Sequence, residues 1–226
     1  VETTINQDIR AALDRLGPGE PIALAAVSGD HAHFLDNWLL FLDRLKIDRV
    51  MIVAMDEVMA ARMRPGRFPV IRAGFDGTEA DFWRQRLRVW RRLADAGVAF
   101  IQSDTDAIWL SDPRPMLAGL DGDLVFSQGT RLPEDTLEAW GFVLCCGFFL
   151  ARPTPATIAL FAEIGPGPLL RNLSAEARQV RRRMRQFEHA WDWGAHYRSS
   201  CAKPSTGVEP VRHGHLTLKG RNAGTA

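Results

Sequence analysis

A single α/β domain with a mostly parallel central sheet is the fold that these 226 residues predict. Three observations carry that prediction. Short apolar runs ending in polar or acidic residues recur at 21–27, 50–55 and 98–101, segments of helical spacing separate them, and the connections are short. Strand–helix alternation of this kind marks a parallel sheet covered on both faces. The length suits one domain with a well-buried core. No repeat or linker divides it, so 1–226 is expected to be one unit, with an N-terminal helix inside 1–20 and an irregular tail over 201–226.

The elements follow in order. Ile5, Ile9, Leu13 and Leu16 give residues 3–16 a helical stripe that stops at Gly17-Pro18-Gly19. Residues 21–27 form an apolar strand, and Phe34, Trp38, Phe41 and Leu45 mark the next helix. The strand 50–55 runs into Asp56; a short helix (57–63), a break at Pro65-Gly66 and a short strand (68–72) come after it. A strong helix covers 79–96 and precedes the strand that ends in Asp104. Beyond residue 113 the pattern changes to strands at 123–127 and 142–151, a helix starting near Pro155 and a very basic helix over about 174–190.

Composition narrows the function. The net charge of +1 gives no support to nucleic-acid binding or to membrane steering. No run of 18 apolar residues exists, so no transmembrane segment is expected. Three cysteines, two of them adjacent (Cys145, Cys146) and one alone (Cys201), build neither a disulfide framework nor a zinc site. A cytoplasmic location is therefore expected.

The segment Phe100-Ile-Gln-Ser-Asp104-Thr-Asp106-Ala-Ile-Trp109-Leu-Ser-Asp112-Pro113 carries the chemistry. A buried strand delivers Asp104 and Asp106 to the sheet's C-terminal edge, where open α/β sheets bind ligands. Two hard oxygen donors there suit Mn²⁺ or Mg²⁺, which bind through one or two carboxylates plus substrate phosphates. A strand-end turn in which both carboxylates only satisfy backbone amides is the structural alternative.

The helix over 79–96 adds a second argument. Phe82, Trp83, Leu87, Trp90, Leu93 and Ala94 fall in one arc, and Arg84, Arg88, Arg91 and Arg92 fall opposite. Arg86 alone among the arginines lies within the apolar arc, so its guanidinium must reach a counter-charge, with a salt bridge to a core-edge aspartate or snorkelling along its stem as the structural alternative. Ser28 and Asp56 end the first two strands on the same edge as Asp104, with N-capping of the following helices as their alternative role.

These pieces resemble the nucleotide-diphospho-sugar transferase family, glycosyltransferases of the GT-A fold. The matching residues are Asn37-Trp38, the strand ending at Asp56, Gly97 through Asp106 with Trp109 and Asp112-Pro113, and Cys146-Gly-Phe-Phe-Leu-Ala-Arg-Pro-Thr154. The resemblance implies a GT-A-like mixed sheet and metal-dependent sugar transfer, with retention, from a nucleotide-sugar donor (UDP- or GDP-linked). The acceptor is left open between glycan, protein and small molecule. It also implies that Asp104 meets ribose and metal, that Asp106 coordinates the metal, that Arg86 meets the donor diphosphate, and that Ser28 and Asp56 line the nucleoside. His213, as a metal ligand, and Lys219, on the diphosphate, would close the site. Asp192 is the nearest match to an acidic residue facing acceptor and sugar, but the Gln that follows it in the family is replaced by Trp193.

Other readings compete. Asp104-x-Asp106 after an apolar strand, with Ser127 ending a later one, resembles the haloacid-dehalogenase-like phosphatases, although of their lysine and late acidic pair only Lys203 and Glu209 are present. The missing Gln also fits a non-catalytic module that binds sugar nucleotides. The basic run Arg178, Arg181, Arg182, Arg183 and Arg185 reads as a solvated helix face balanced by Glu176 and Glu188.

Overall fold

The computed structural model describes residues 2–63, 66–128 and 143–163, positions 134, 137 and 138, and a short strand at 184–186. Among them, seven strands form one sheet: β1 (Ile22–Val27), β2 (Val50–Ala54), β3 (Val70–Arg72), β4 (Phe100–Ser103), β5 (Leu124–Gln128), β6 (Leu144–Ala151) and β7 (Met184–Gln186). The helices are α1 (Glu2–Leu16), α2 (Ala32–Arg44), α3 (Glu57–Met63), α4 (Glu79–Asp95), α5 (Arg114–Ala118) and α6 (Pro155–Glu163), with a 3₁₀ turn at Gly29–His31. The spatial order is β3-β2-β1-β4-β6-β5-β7. Strands β3, β2, β1 and β4 are parallel. Strand β6 runs against β4 and β5, and β7 runs with β5. The sheet is mixed and mostly parallel, as the sequence predicts.

Burial on both faces explains the uninterrupted apolar strands: all five residues of β2 are buried. One apolar cluster joins Ile5, Ile9 and Ala12 of α1, Val89, Trp90 and Leu93 of α4, and Leu160 and Phe161 of α6 to strand residues such as Leu24, Phe100 and Phe149. Helix α2 buries Leu35, Trp38 and Leu42 on the other face. The two faces are told apart on β4, where Trp90 bonds to Gln102 and Trp38 to Ser103, because successive strand residues point oppositely.

Helix ends are satisfied locally. Thr78 caps α4 by accepting from the Asp81 amide. Gly97, at φ 72°, ends it: its amide reaches the Ala94 carbonyl and the Val98 amide reaches that of Leu93. This left-handed turn drops the chain directly into β4. Arg49 donates to the carbonyls of Leu16 and Gly17, closing α1.

One expectation is corrected. The basic segment predicted as a helix over about 174–190 contains β7 at Met184–Gln186. Met, Arg and Gln favour helix locally, but β5 offers an open edge that pairs them in register from Leu124 to Phe126. Backbone pairing at a sheet edge outweighs a propensity difference of a few tenths of a kcal/mol per residue. The strands expected at 123–127 and 142–151 are found at 124–128 and 144–151. The predicted tail, 201–226, lies outside the described residues.

Candidate active site at the switch of the sheet

Strand order places the site. From β1 the chain builds outward to β2 and β3, then crosses back to lay β4 on the opposite side of β1. That reversal opens a crevice outside the C-terminal ends of β1 and β4, the position where ligands bind in open α/β sheets. Ser28 follows β1, Asp56 lies two residues past β2, and Asp104 follows β4, so all three reach this edge.

Asp104 is the member held by a buried cation. Arg86 reaches it from α4, with Nη2 donating to Asp104 Oδ1 at 2.9 Å and to the Cys146 carbonyl at 2.9 Å. The Arg86 side chain is 3% exposed, whereas 43% of the Asp104 side chain meets solvent. Three rings surround the guanidinium: its carbon lies 4.6 Å from the Trp83 ring centre, 5.2 Å from Trp90 and 5.5 Å from Phe82. Such aromatic faces favour a cation. The helical phase of the sequence thus placed Arg86 correctly, and its counter-charge is the first carboxylate of the pair. Burial lifts the Asp104 carboxyl above its ordinary range; Arg86 opposes that rise and Asp106 adds to it.

Strand β6 completes the setting. The Asp104 amide donates to the Gly147 carbonyl at 2.7 Å. A Cβ on Gly147 would stand 2.9 Å from Asp104 Oδ2, inside any real contact. Glycine there leaves the second carboxylate oxygen its room. Burial pushes the neighbouring Cys146 thiol up to about 11.

Asp106 differs from Asp104. It is exposed, and no described side chain bonds to its carboxylate. The turn is held instead through backbone bonds from Ala107 to the Asp104 carbonyl and from Ile108 to the Asp106 carbonyl. The amide-satisfying alternative for this pair therefore finds no support in the geometry. Among the described residues no group of three or more His, Cys, Asp or Glu is arranged to hold a metal. Two carboxylates with free oxygens nonetheless fit an ion that takes its other ligands from substrate phosphates and water.

The other predicted residues divide. Asp56 accepts from the Gly29 amide through Oδ2 and from the Met59 amide through Oδ1, both at 2.8 Å. It caps α3 and ties the β1 loop to it. Ser28 makes no side-chain cap; its hydroxyl pairs with His31 Nδ1 at 3.0 Å. Asp192, His213 and Lys219 lie outside the described residues, as do Ser127's proposed phosphatase partners Lys203 and Glu209.

Sequence reasoning missed the polar side chains beneath the pair. Ser103 and Gln102 are fully buried in β4. Gln102 accepts from Trp90 and donates to the Ser103 carbonyl. Ser103 takes indole bonds from Trp38 and Trp109. Two polar residues in a strand buried on both faces were the available signal, since such groups need partners.

Parts of this chain are similar to known proteins. The chain is 26% identical over 147 residues to the arabinosyltransferase XEG113 of Arabidopsis thaliana, covering 58% of this chain and 23% of that protein. It is 25% identical over 155 residues to the UDP-D-xylose:L-fucose α-1,3-D-xylosyltransferase MGP4 of the same plant, covering 59% and 43%. The chain thus spans less than half the length of these relatives. Among solved structures, the WbbM bifunctional glycosyltransferase overlays 76% of this chain and 39% of its own with TM-score 0.49 and 9% identity. Family membership rests on none of these but on the family model for nucleotide-diphospho-sugar transferases, which matches residues 45–165, more than half of the sequence. The chain belongs to the nucleotide-diphospho-sugar transferase family.

Proposed function

We propose that this chain is a metal-dependent glycosyltransferase that moves a sugar from a nucleoside-diphosphate donor to an acceptor hydroxyl, with retention. The observation that carries the reading is the Asp104 carboxylate at the sheet's switch point, held by a buried Arg86 on one oxygen and left room on the other by Gly147. The relatives named for UDP-xylose and arabinose transfer make a UDP-pentose the first donor to test, ahead of the GDP-linked class.

Breaking a glycosyl–phosphate bond leaves negative charge on the departing diphosphate. Asp104 and Asp106 would hold Mn²⁺ or Mg²⁺, which supplies Lewis-acid stabilisation of that leaving group. Asp104 also accepts from a donor hydroxyl, as the family resemblance implies. Arg86 holds one oxygen of Asp104 and is proposed to meet the donor diphosphate, as the family resemblance implies. Asp192, His213 and Lys219 are proposed to face the sugar, the metal and the diphosphate respectively.

Thermal-shift screening of UDP-xylose, UDP-arabinose, GDP- and CMP-sugars, each with Mn²⁺ or with chelator, tests the reading. A UDP-sugar should raise Tm only when the metal is present. Stabilisation by every nucleotide alike, or by none, contradicts it.

A further inference from the structure

Ser103 is the point at which the carboxylate turn is fastened to the scaffold. Its hydroxyl accepts from Trp38 Nε1 at 3.2 Å and from Trp109 Nε1 at 3.0 Å, and its proton goes to the Asp104 carbonyl at 3.0 Å, with the Ala107 carbonyl a longer second acceptor at 3.4 Å. One proton and two lone pairs are all a hydroxyl has, so every valence is used. Ser103, Trp38 and Trp109 are all buried. The two indoles meet edge to face at 6.0 Å, and Trp109 meets Phe148, the register partner of Ser103 on β6, at 5.8 Å.

The three donors and acceptors come from separate places. Trp38 belongs to α2, Ser103 ends β4, and Trp109 lies three residues beyond Asp106. The turn from Asp104 to Ile108 is therefore tied at both feet to one buried oxygen: at its start through the Asp104 carbonyl, at its end through the Trp109 indole. Between the feet, the exposed Asp106 has no side-chain bond of its own among the described residues. Among those residues its position is set by the backbone alone. A shift of about 1 Å in a reacting group costs on the order of a hundredfold in activity.

We propose that Ser103, with Trp38 and Trp109, is a positioning residue that fixes the spacing of Asp104 and Asp106 for a small divalent ion. The inference rests on the metal–diphosphate reading above. Mg²⁺ demands near-ideal octahedral ligand placement, whereas Ca²⁺ accepts six to eight ligands in flexible geometry. Loosening the turn therefore changes which ion is accepted, not only how stable the protein is.

Calorimetric titration of UDP against the full chain, with Mg²⁺, with Ca²⁺ and with chelator, separates the outcomes. Ser103→Ala should weaken Mg²⁺-supported binding by about tenfold or more and Ca²⁺-supported binding by less than about threefold. Trp109→Phe keeps the ring but removes one donor, and should shift the same ratio in the same direction by a smaller factor. If Ser103→Ala does not fold, Trp109→Phe alone decides. Ile9→Val, a core change in α1, controls for lost stability and should leave the ratio unchanged. Equal losses with both ions, or no loss in either variant, overturn the positioning role while leaving the metal reading intact. Wild-type binding indifferent to chelator overturns both.

Discussion

Two parallel strands of this sheet end in the same way and are used differently. Both β2 and β4 are fully buried strands that deliver an aspartate to one edge. Asp56 has both oxygens taken by backbone amides of Gly29 and Met59. Asp104 has one oxygen on a buried guanidinium and the other opposite a glycine. What separates them is the partner and not the strand. A carboxylate that faces a helix N-terminus satisfies orphan amides and holds the fold. One that faces a buried side-chain cation sets that charge against the desolvation that lifts its own carboxyl, an arrangement worth keeping where charge is needed.

Removing the cation should have the largest effect. Arg86→Leu leaves Asp104 without its counter-charge and the Cys146 carbonyl without its donor. Breaking a buried pair costs about 3–5 kcal/mol, and the partial exposure of Asp104 puts this one near about 3 kcal/mol. Urea unfolding measures it, and a loss below about 1 kcal/mol means that the pair is not what orders α4 against β4.

Gly147→Ala sharpens the contrast by separating stability from binding. The added Cβ meets the movable end of the Asp104 side chain rather than backbone, so the fold should lose little. Metal-supported UDP binding should fall by about tenfold, or about 1.4 kcal/mol. Binding that is unchanged shows that Asp104 Oδ2 is not used.

Asp56→Ala should do the reverse. Losing the cap costs about 1 kcal/mol of stability, while the difference between binding with metal and with chelator persists. Disappearance of that difference at unchanged Tm makes Asp56 a direct participant and ends the distinction.

The smallest effect concerns a third aspartate. Burial acts to raise the Asp8 carboxyl, but hydrogen bonds from the Arg72 side chain and amide outweigh it and hold it below its ordinary value of 3.8. A depressed carboxyl stabilises the fold fully above that value, and the contribution is lost as pH falls through the lower, folded-state value. Asp8→Asn should therefore cost up to about 1 kcal/mol at neutral pH and nothing at strongly acidic pH. Chemical unfolding across the acid range follows it, and a cost that does not shrink on acidification means the pair is not electrostatic.

Sequence legibility followed the range of the interactions. The parallel half was legible because buried strands and amphipathic helices write their periods locally, and the position of Arg86 in α4 followed from phase alone. The cap of Asp56 on the Met59 amide was legible as its alternative role, but its second partner was not, since Gly29 lies 27 residues away. The Ser103 anchor joins residues 65 apart, so its partner Trp38 was not legible; two polar residues in a buried strand signalled only that partners were needed. Strand β7 was missed because only the neighbouring edge of β5 makes it a strand.

The central claim is that Asp104 and Asp106 form a metal–diphosphate site. Calorimetric titration of UDP into wild type and Asp106→Asn, each with Mn²⁺ and with chelator, tests it most directly, because metal and nucleotide must tighten one another reciprocally. Asp106→Asn keeps the shape of an exposed side chain that holds nothing else in the described structure. The account predicts UDP binding that Mn²⁺ tightens by at least about tenfold in the wild type and not at all in the variant. Equal binding with metal and chelator in the wild type, or coupling retained in Asp106→Asn, contradicts it and returns the carboxylates to a structural role.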